Sequence, residues 1–105
     1  MKGSSVHYIA VEWLHMAPDE PIHLYYELDQ DRYERRKVEM YRDGTLHSAD
    51  ATFGRGSTFL AWEPHPPVAD ISADPQFHVH EITAQEFENL WNRAARHPQD
   101  SAVYA

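Results

Sequence analysis

Cysteine is absent from this chain of 105 residues, which excludes disulfide bonds, thiol catalysis and cysteine-based zinc sites. No run of residues approaches the ~20 apolar positions that cross a membrane as a helix. The N-terminus has no basic segment followed by an apolar one, so no signal peptide is expected. These absences together predict a cytoplasmic protein.

Positive charge is scarce, because nine Lys and Arg face seventeen Asp and Glu, which gives a formal net charge of −8. Phosphate backbones and anionic lipids require a basic surface, so neither nucleic acid nor a membrane is an expected partner. An acidic surface suits a basic protein partner, and it also keeps a protein soluble. The glycine-containing stretch 54–58 lacks the Gly-Lys-Ser/Thr ending of a phosphate loop, and no cofactor is predicted.

Aromatic residues and histidines are abundant, with three Trp, six Tyr, four Phe and eight His. Aromatic side chains of this number can fill the core of a small domain without a disulfide. We expect a single domain over 1–105, with an ordered core over about 6–97 and a frayed tail over 98–105.

The first half of the chain alternates in the manner of strands. Residues 6–16 are apolar at both parities, which predicts a strand covered on both faces. Residues 22–29 alternate apolar and polar, which predicts a half-buried strand. Residues 32–42 lead into Asp43-Gly44, a strong hairpin signal. Their apolar positions hold neither one helical stripe nor one strand parity, which favours a strand with a bulge.

The second half predicts shorter strands and one helix. We expect a return strand over 45–53, a flexible connection over 54–57, a short strand over 58–62, an irregular stretch over 67–76 and a strand over 77–82.

The helix begins at a capping box, Thr83-Ala84-Gln85-Glu86. Its apolar stripe is Phe87, Leu90, Trp91, Ala94 and Ala95, and Glu88 is expected to face water. His97-Pro98 should end it. The sequence therefore predicts an α+β fold, an antiparallel sheet of about five or six strands with one C-terminal helix packed on a face.

His78 and His80 are the candidate metal ligands, because residues two apart in a strand share a face. A third ligand is required. The alternative is that both histidines face solvent on an edge strand, and we predict that no metal is bound. The residues that could supply the third ligand are His7, His15, His23, Glu27 and Glu81.

The charged residues of 27–39 allow two interpretations. Glu27 or His15 could move a proton while Arg36 holds an anion, as in a small isomerase or cyclase. Cross-strand ion pairs are the simpler interpretation. The enzyme version, or a ligand-binding domain, needs a pocket between sheet and helix; we expect it to be lined by Trp13, His15, Tyr26, Trp62 and Trp91.

A binding protein needs no catalytic group, only shape, aromatic anchors and complementary charge. The leading hypothesis is an immunity- or inhibitor-like protein that occludes a basic protein partner with acidic loops and a sheet face. A small-molecule ligand is the alternative. The candidate binding residues are Trp13, Tyr25, Glu27, Asp29, Asp31 and Trp62.

Four segments resemble a family of small bacterial proteins known only as a domain of unknown function. They are Trp13-Leu14-His15, the Tyr-Tyr-Glu-Leu-Asp segment within 24–29, the charged segment 32–44 with its Arg-Lys-Val-Glu-x-Tyr-Arg-Asp-Gly pattern, and 82–91. The resemblance spans about residues 8–92. It implies the family's fold and an association with immunity-type gene neighbourhoods, and it implies no reaction or catalytic residues.

Overall fold

The computed structural model describes residues 6–50, 54–55, 60–61 and 63–95, so the predicted frayed tail, 98–105, lies outside the described residues. The elements in this part of the chain are β1 (His7–Trp13), β2 (His23–Leu28), β3 (Glu34–Met40), β4 (Leu46–Asp50), β5 (Gly54–Arg55), α1 (Val68–Ser72), β6 (Phe77–Glu81) and α2 (Ala84–Ala95).

The six strands form one antiparallel sheet in the order β5-β4-β3-β2-β1-β6. Strands β1 to β5 follow one another as a meander, and β6 returns to pair with the free side of β1. The C-terminal helix α2 packs on one face of this sheet, so the predicted α+β class is confirmed.

The sheet is covered on both faces. On the α1 face, Ile9, Val11 and Leu28 form a buried cluster against which Val68 and Ile71 of α1 pack. On the α2 face, the buried residues are Val38, Leu46, Phe87 and Ala94. In β1, Ile9 and Val11 are buried on the α1 face and Ala10 is buried on the α2 face, so the predicted covering of both faces holds for the middle of the strand. Glu12 is exposed, and the strand ends at Trp13 rather than at residue 16.

The prediction of a half-buried β2 is wrong. Leu24, Tyr26 and Leu28 do face the α1 side, but Glu27 on the other face is only 5% exposed. The polar alternation is misleading because the α2 face supplies Glu27 with ion-pair partners, which allow a carboxylate to be buried.

The predicted bulge in β3 is present. Glu27 pairs with Arg36 whereas Leu28 pairs with Glu34, so the register shifts at this point and Arg35 is the extra residue. The hairpin that follows also forms, with Gly44 at φ +91° and its N–H donating to the Tyr41 carbonyl over 2.9 Å. A positive φ is the conformation that glycine adopts at little cost.

Three predictions between β4 and β6 are wrong. Gly54–Arg55 form β5, paired with Ser48 and Ala49, where a flexible connection was expected. Residues 60–61 are not in a strand. The other residues of the predicted strand 58–62, including Trp62, lie outside the described residues, and so do residues 51–53. The stretch 67–76 contains α1, whose N-cap residue is Pro67 at φ −55° and ψ 152°; Pro67 lies just outside the helix, where its missing N–H breaks no helical hydrogen bond.

Helix α2 begins at the predicted capping box. The Thr83 Oγ1 accepts from the Glu86 N–H over 3.0 Å, and the Glu86 Oε1 accepts from the Thr83 N–H over 2.8 Å. Ala95 of the predicted stripe is exposed, and Glu88 is partly buried, because it contacts Arg36. His97-Pro98 lies outside the described residues. None of the helices in the described ranges is long and apolar enough to cross a membrane.

Candidate functional site

Glu27 and Arg36 lie directly opposite each other on β2 and β3, on the α2 face. Arg36 Nε and Nη2 each donate to one carboxylate oxygen of Glu27 over 2.7 Å. The Tyr8 hydroxyl donates to Glu27 Oε2 over 3.0 Å. A bidentate pair of this kind is the strongest common form of charge-assisted hydrogen bond.

Helix α2 completes this polar cluster. Arg36 Nη1 donates to Glu88 Oε1 over 3.3 Å, and Arg36 Nη2 also contacts Glu88 Oε2. The guanidinium carbon lies 5.0 Å from the ring centroids of both Phe87 and Trp91. Arg36 therefore joins the sheet to the helix through two carboxylates and two aromatic rings.

The electrostatics of this cluster favour a structural role. Burial alone would raise the pKa of the Glu27 carboxyl, but the hydrogen bonds from Arg36 and Tyr8 and the positive charge of Arg36 outweigh it, so the pKa lies below its ordinary value. The hydrogen bond to Glu27 is the main cause of a raised Arg36 pKa. Both groups stay charged near neutral pH, so neither readily moves a proton there.

His15, the third predicted catalytic residue, lies elsewhere. It follows β1 at the sheet end where β2 begins, whereas Glu27 lies near the far end of β2, opposite Tyr8. The His15 Nδ1 accepts from the Ala17 N–H over 3.0 Å, so the proton of the neutral ring resides on Nε2, which lies 2.8 Å from the Pro21 carbonyl oxygen. Both ring nitrogens therefore shape the loop.

The pocket predicted between sheet and helix does not form from the expected residues. Trp13 and Tyr26 belong to the α1 face, and Trp91 belongs to the α2 face. His15 lies in the β1–β2 loop, and Trp62 is outside the described residues. Tyr26 and Glu27 point to opposite faces of β2, and both are buried there.

A second polar cluster lies on the α1 face, where sequence reasoning expected nothing. The Glu34 side chain is almost fully buried, its Oε2 lies 2.6 Å from His65 Nε2, and its Oε1 accepts from the Ala61 N–H over 2.8 Å. The His65 ring meets the Tyr26 ring edge-on at 4.3 Å between centroids. Two prolines bracketing a histidine, in the run 64–66, are the only sequence signal for it.

This cluster anchors the proline-rich segment. Burial would raise the pKa of Glu34, but the hydrogen bonds from His65 and Ala61 and the charge of Lys37 hold it below its ordinary value. An ionised carboxylate only accepts, so His65 Nε2 is the donor. Arg32, at φ +70°, donates from its Nε to the His65 carbonyl over 3.1 Å.

The sheet end formed by the β1–β2 loop and the β3–β4 turn carries exposed apolar residues. Met16 is 88% exposed and Leu14 is 43% exposed. Trp13, which precedes them, donates from Nε1 to the Gln76 side chain over 2.8 Å and lies 4.3 Å from the His15 ring. We call this region, residues 12–22 with 41–47, the loop-end surface.

Two grooves flank Arg42 on the loop-end surface. One of about 450 Å³ lies beside Trp13, Leu14 and Met16, and the other, of about 540 Å³, is lined by Asp19 and the β3–β4 turn. Arg42 lines both, and its Nη2 donates to the His15 carbonyl over 2.8 Å. The exposed carboxylates here are Glu12, Asp19, Glu20 and Asp43, so negative charge outnumbers the one arginine.

A third groove, of about 330 Å³, lies between β6, β1, β2 and the first turns of α2; we call it the β6–α2 groove. His78 Nδ1 lies 3.5 Å from Glu12 Oε1. The His23 and Tyr25 rings stack at 6.1 Å with an interplanar angle of 20°. Its lining residues are Ala10, Glu12, His23, Tyr25, His78, His80, Ile82, Glu86 and Leu90.

The β6–α2 groove contains His78 and His80, the predicted candidate metal ligands. Within the described ranges, no group of three His, Cys, Asp or Glu side chains is arranged to hold a metal ion. Glu81 lies on the opposite face of β6, Glu27 is paired with Arg36, and His15 lies in the β1–β2 loop. The edge-strand alternative for these two histidines agrees with the position of β6 in the sheet.

The remaining predicted binding residues lie apart from one another. Asp29 shapes the β2–β3 turn, since its Oδ1 accepts from the N–H groups of Asp31 and Tyr33 over 2.9 and 3.0 Å. Asp31 is exposed in the same turn, at the sheet end opposite the loop-end surface. Tyr25 lines the β6–α2 groove.

The fold and these surfaces define a small α+β domain that carries exposed grooves and two saturated polar clusters. The chain belongs to the family described as Domain of unknown function (DUF6881), whose model matches residues 7–96. None of the curated proteins matches the chain, and none of the solved structures does.

Proposed function

We propose that the protein is a small binding protein, immunity- or inhibitor-like, that occludes a basic protein partner. The observation that carries this proposal is the loop-end surface, where Met16 and Leu14 expose apolar side chains beside the carboxylates of Asp19 and Glu20. Exposed apolar anchors rimmed by polar and charged residues are typical of protein interaction sites.

Charge supports a basic partner. The chain has a formal net charge of −8, and carboxylates predominate on the loop-end surface. Charges at the rim of an interface steer the encounter and discourage like-charged partners. The saturated pairing of Glu27 with Arg36 and the bonded ring of His15 favour binding over acid–base catalysis by those residues.

The test is capture followed by measurement. The immobilised protein is incubated with lysate of the source cells, the retained protein is identified by mass spectrometry, and its dissociation constant is measured with purified components. We expect a basic partner whose affinity falls with rising salt. The double variant Leu14→Ser/Met16→Ser should weaken binding at least tenfold, because it removes the apolar anchors.

Tyr33→Ser is the matched control, because Tyr33 is also exposed but lies at the opposite end of the sheet. It should leave the affinity unchanged. The proposal fails if no protein is retained, if the retained protein is acidic, or if the double variant binds as tightly as the control.

One observation favours the second candidate function, a ligand-binding domain or small acid–base enzyme. The β6–α2 groove lies between sheet and helix, where that function needs a pocket, although its lining includes His23, His78 and His80 rather than His15. If the predicted mechanism operates, His15→Ala abolishes turnover of a substrate found by metabolite screening while the fold stays intact. Unchanged turnover removes that mechanism.

A further inference from the structure

We infer that the β6–α2 groove is a socket for the guanidinium group of an arginine side chain presented by the basic partner. The inference rests on the proposed function, since it assumes that the partner is a basic protein. It goes further by placing one specific contact in the groove that adjoins the loop-end surface, with which the groove shares Glu12.

A small residue makes room for the guanidinium. Ala10 lies in β1 between Tyr25 of β2 and His80 of β6, which are its cross-strand neighbours on the α2 face. Tyr25 and His80 have large side chains, whereas Ala10 contributes only a methyl group. The resulting groove of about 330 Å³ is bounded on the helix side by Ile82, Glu86 and Leu90.

The charge of the groove suits a cation. Glu12 and Glu86 supply two carboxylates, and none of its lining residues is Lys or Arg. The hydrogen bond from the Thr83 N–H is the main cause of a lowered pKa at Glu86, which keeps that carboxylate ionised. The Glu86 oxygen that accepts the hydrogen bond from the Thr83 N–H is Oε1. Burial raises the pKa of Tyr25, and the positive charge of Arg93 in α2 partly opposes that shift, so one cation also acts on this groove.

The ring pair favours a planar cation. His23 and Tyr25 stack on one wall, and a guanidinium stacks on aromatic faces while it forms paired hydrogen bonds with a carboxylate. A compact ammonium is more strongly hydrated and gains less from such a surface. His78 and His80 also line the groove and add polar ring nitrogens to it.

The test uses a minimal probe, acetyl-arginine-amide, followed by NMR chemical shifts of the protein. We expect saturable shifts centred on His23, His78 and His80 with a millimolar dissociation constant. Acetyl-citrulline-amide has nearly the same shape without the charge and should bind at least tenfold more weakly. Propylguanidinium, which carries the guanidinium and one positive charge but no peptide groups, separates recognition of the guanidinium alone from recognition of a peptide-borne side chain.

Two variants remove one charge each from the groove. Glu12→Gln and Glu86→Gln should each weaken the probe about threefold or more, the scale of one partly exposed ion pair. Gln at position 86 still satisfies the capping box, so α2 is retained. Glu81→Gln is the matched control, because Glu81 is exposed on β6, the strand of His78 and His80, but on the opposite face of the sheet.

The outcomes separate this inference from the proposed function. Saturable binding that discriminates against citrulline and weakens in Glu12→Gln and Glu86→Gln supports the arginine socket. Tighter binding of propylguanidinium than of the peptide-like probe points to a free small molecule and overturns the assignment to a partner side chain. Equal binding of citrulline, equal loss in Glu81→Gln, or no saturable shift also overturns it. In each of these cases the proposed function would still hold if a basic partner had been captured.

Discussion

Individual residues show how far a pattern of charges can be interpreted from the chain alone. The interpretation of Glu27 and Arg36 as a cross-strand ion pair is correct, and the register places them directly opposite each other. Their burial was not predictable, because it depends on Glu88 and Trp91, which are distant in the chain and join the pair only when α2 packs. The contact between Glu34 and His65 likewise joins residues that are distant in the chain.

Replacing Glu27 by Gln should destabilise the protein by about 2 kcal/mol near neutral pH, because the partly buried Arg36 guanidinium loses its bidentate partner. Urea unfolding measures the change. Glu88→Gln, at a more exposed partner, should cost less than about 1 kcal/mol.

The destabilisation caused by Glu27→Gln has a defined pH dependence. Because folding lowers the Glu27 pKa below its ordinary value of 4.5, its contribution is fully present above about 4.5 and is lost as the pH falls through the folded-state pKa. The stability curves of wild type and Glu27→Gln should therefore converge in acid. Parallel curves would show that the Glu27 charge is not the source of the difference.

At the scale of elements, local signals succeed where they are strong. The capping box of α2 and the Asp43-Gly44 hairpin form as predicted, since each depends on residues a few positions apart. Helix α1 has only five residues and no repeating apolar pattern, so its existence depends on Val68 and Ile71 finding the sheet. Strand β5 likewise exists through its pairing with β4.

The N-cap of α2 gives an element-scale prediction. Thr83→Ala should lower the free energy of unfolding by about 1 kcal/mol, because the Glu86 N–H loses its acceptor at the helix start. Thr83→Ser keeps a hydroxyl and should restore most of this loss. Equal destabilisation by both substitutions, measured by urea unfolding, would contradict the capping role.

At the scale of the whole molecule, composition and alternation predict the α+β class but not the strand order. The position of β6 beside β1 joins segments from opposite ends of the described chain, and no local pattern specifies such a pairing. The covering of both sheet faces has the same origin, since α1 and α2 flank β6 in sequence and lie on opposite sides of the sheet.

This topology predicts a pattern of amide hydrogen exchange. Amides in β1, β2 and β3 should exchange most slowly, because each of these strands pairs along its length with a neighbour on both sides, whereas the outer neighbour of β4 is the two-residue β5. Within β6 the rates should alternate. The Ile82 N–H donates to the Tyr8 carbonyl, and N–H groups along a strand point alternately to its two sides. The amides of His78 and His80 therefore point towards β1 and should exchange slowly, whereas those of Val79 and Glu81 point away from it. Uniform rates along β6 would contradict this register.

The place of β1 between β2 and β6 also bears on how the chain folds as it is synthesised. The β1–β4 meander emerges first, with the outer edge of β1 open and both faces of the sheet bare. Only when β6 and α2 follow do that edge and the α2 face close, almost together. Contacts between such distant segments slow folding, and an unpaired inner strand can recruit another chain in the meantime. Nascent chains stalled before β6 are therefore the species in which we expect misassociation and chaperone dependence.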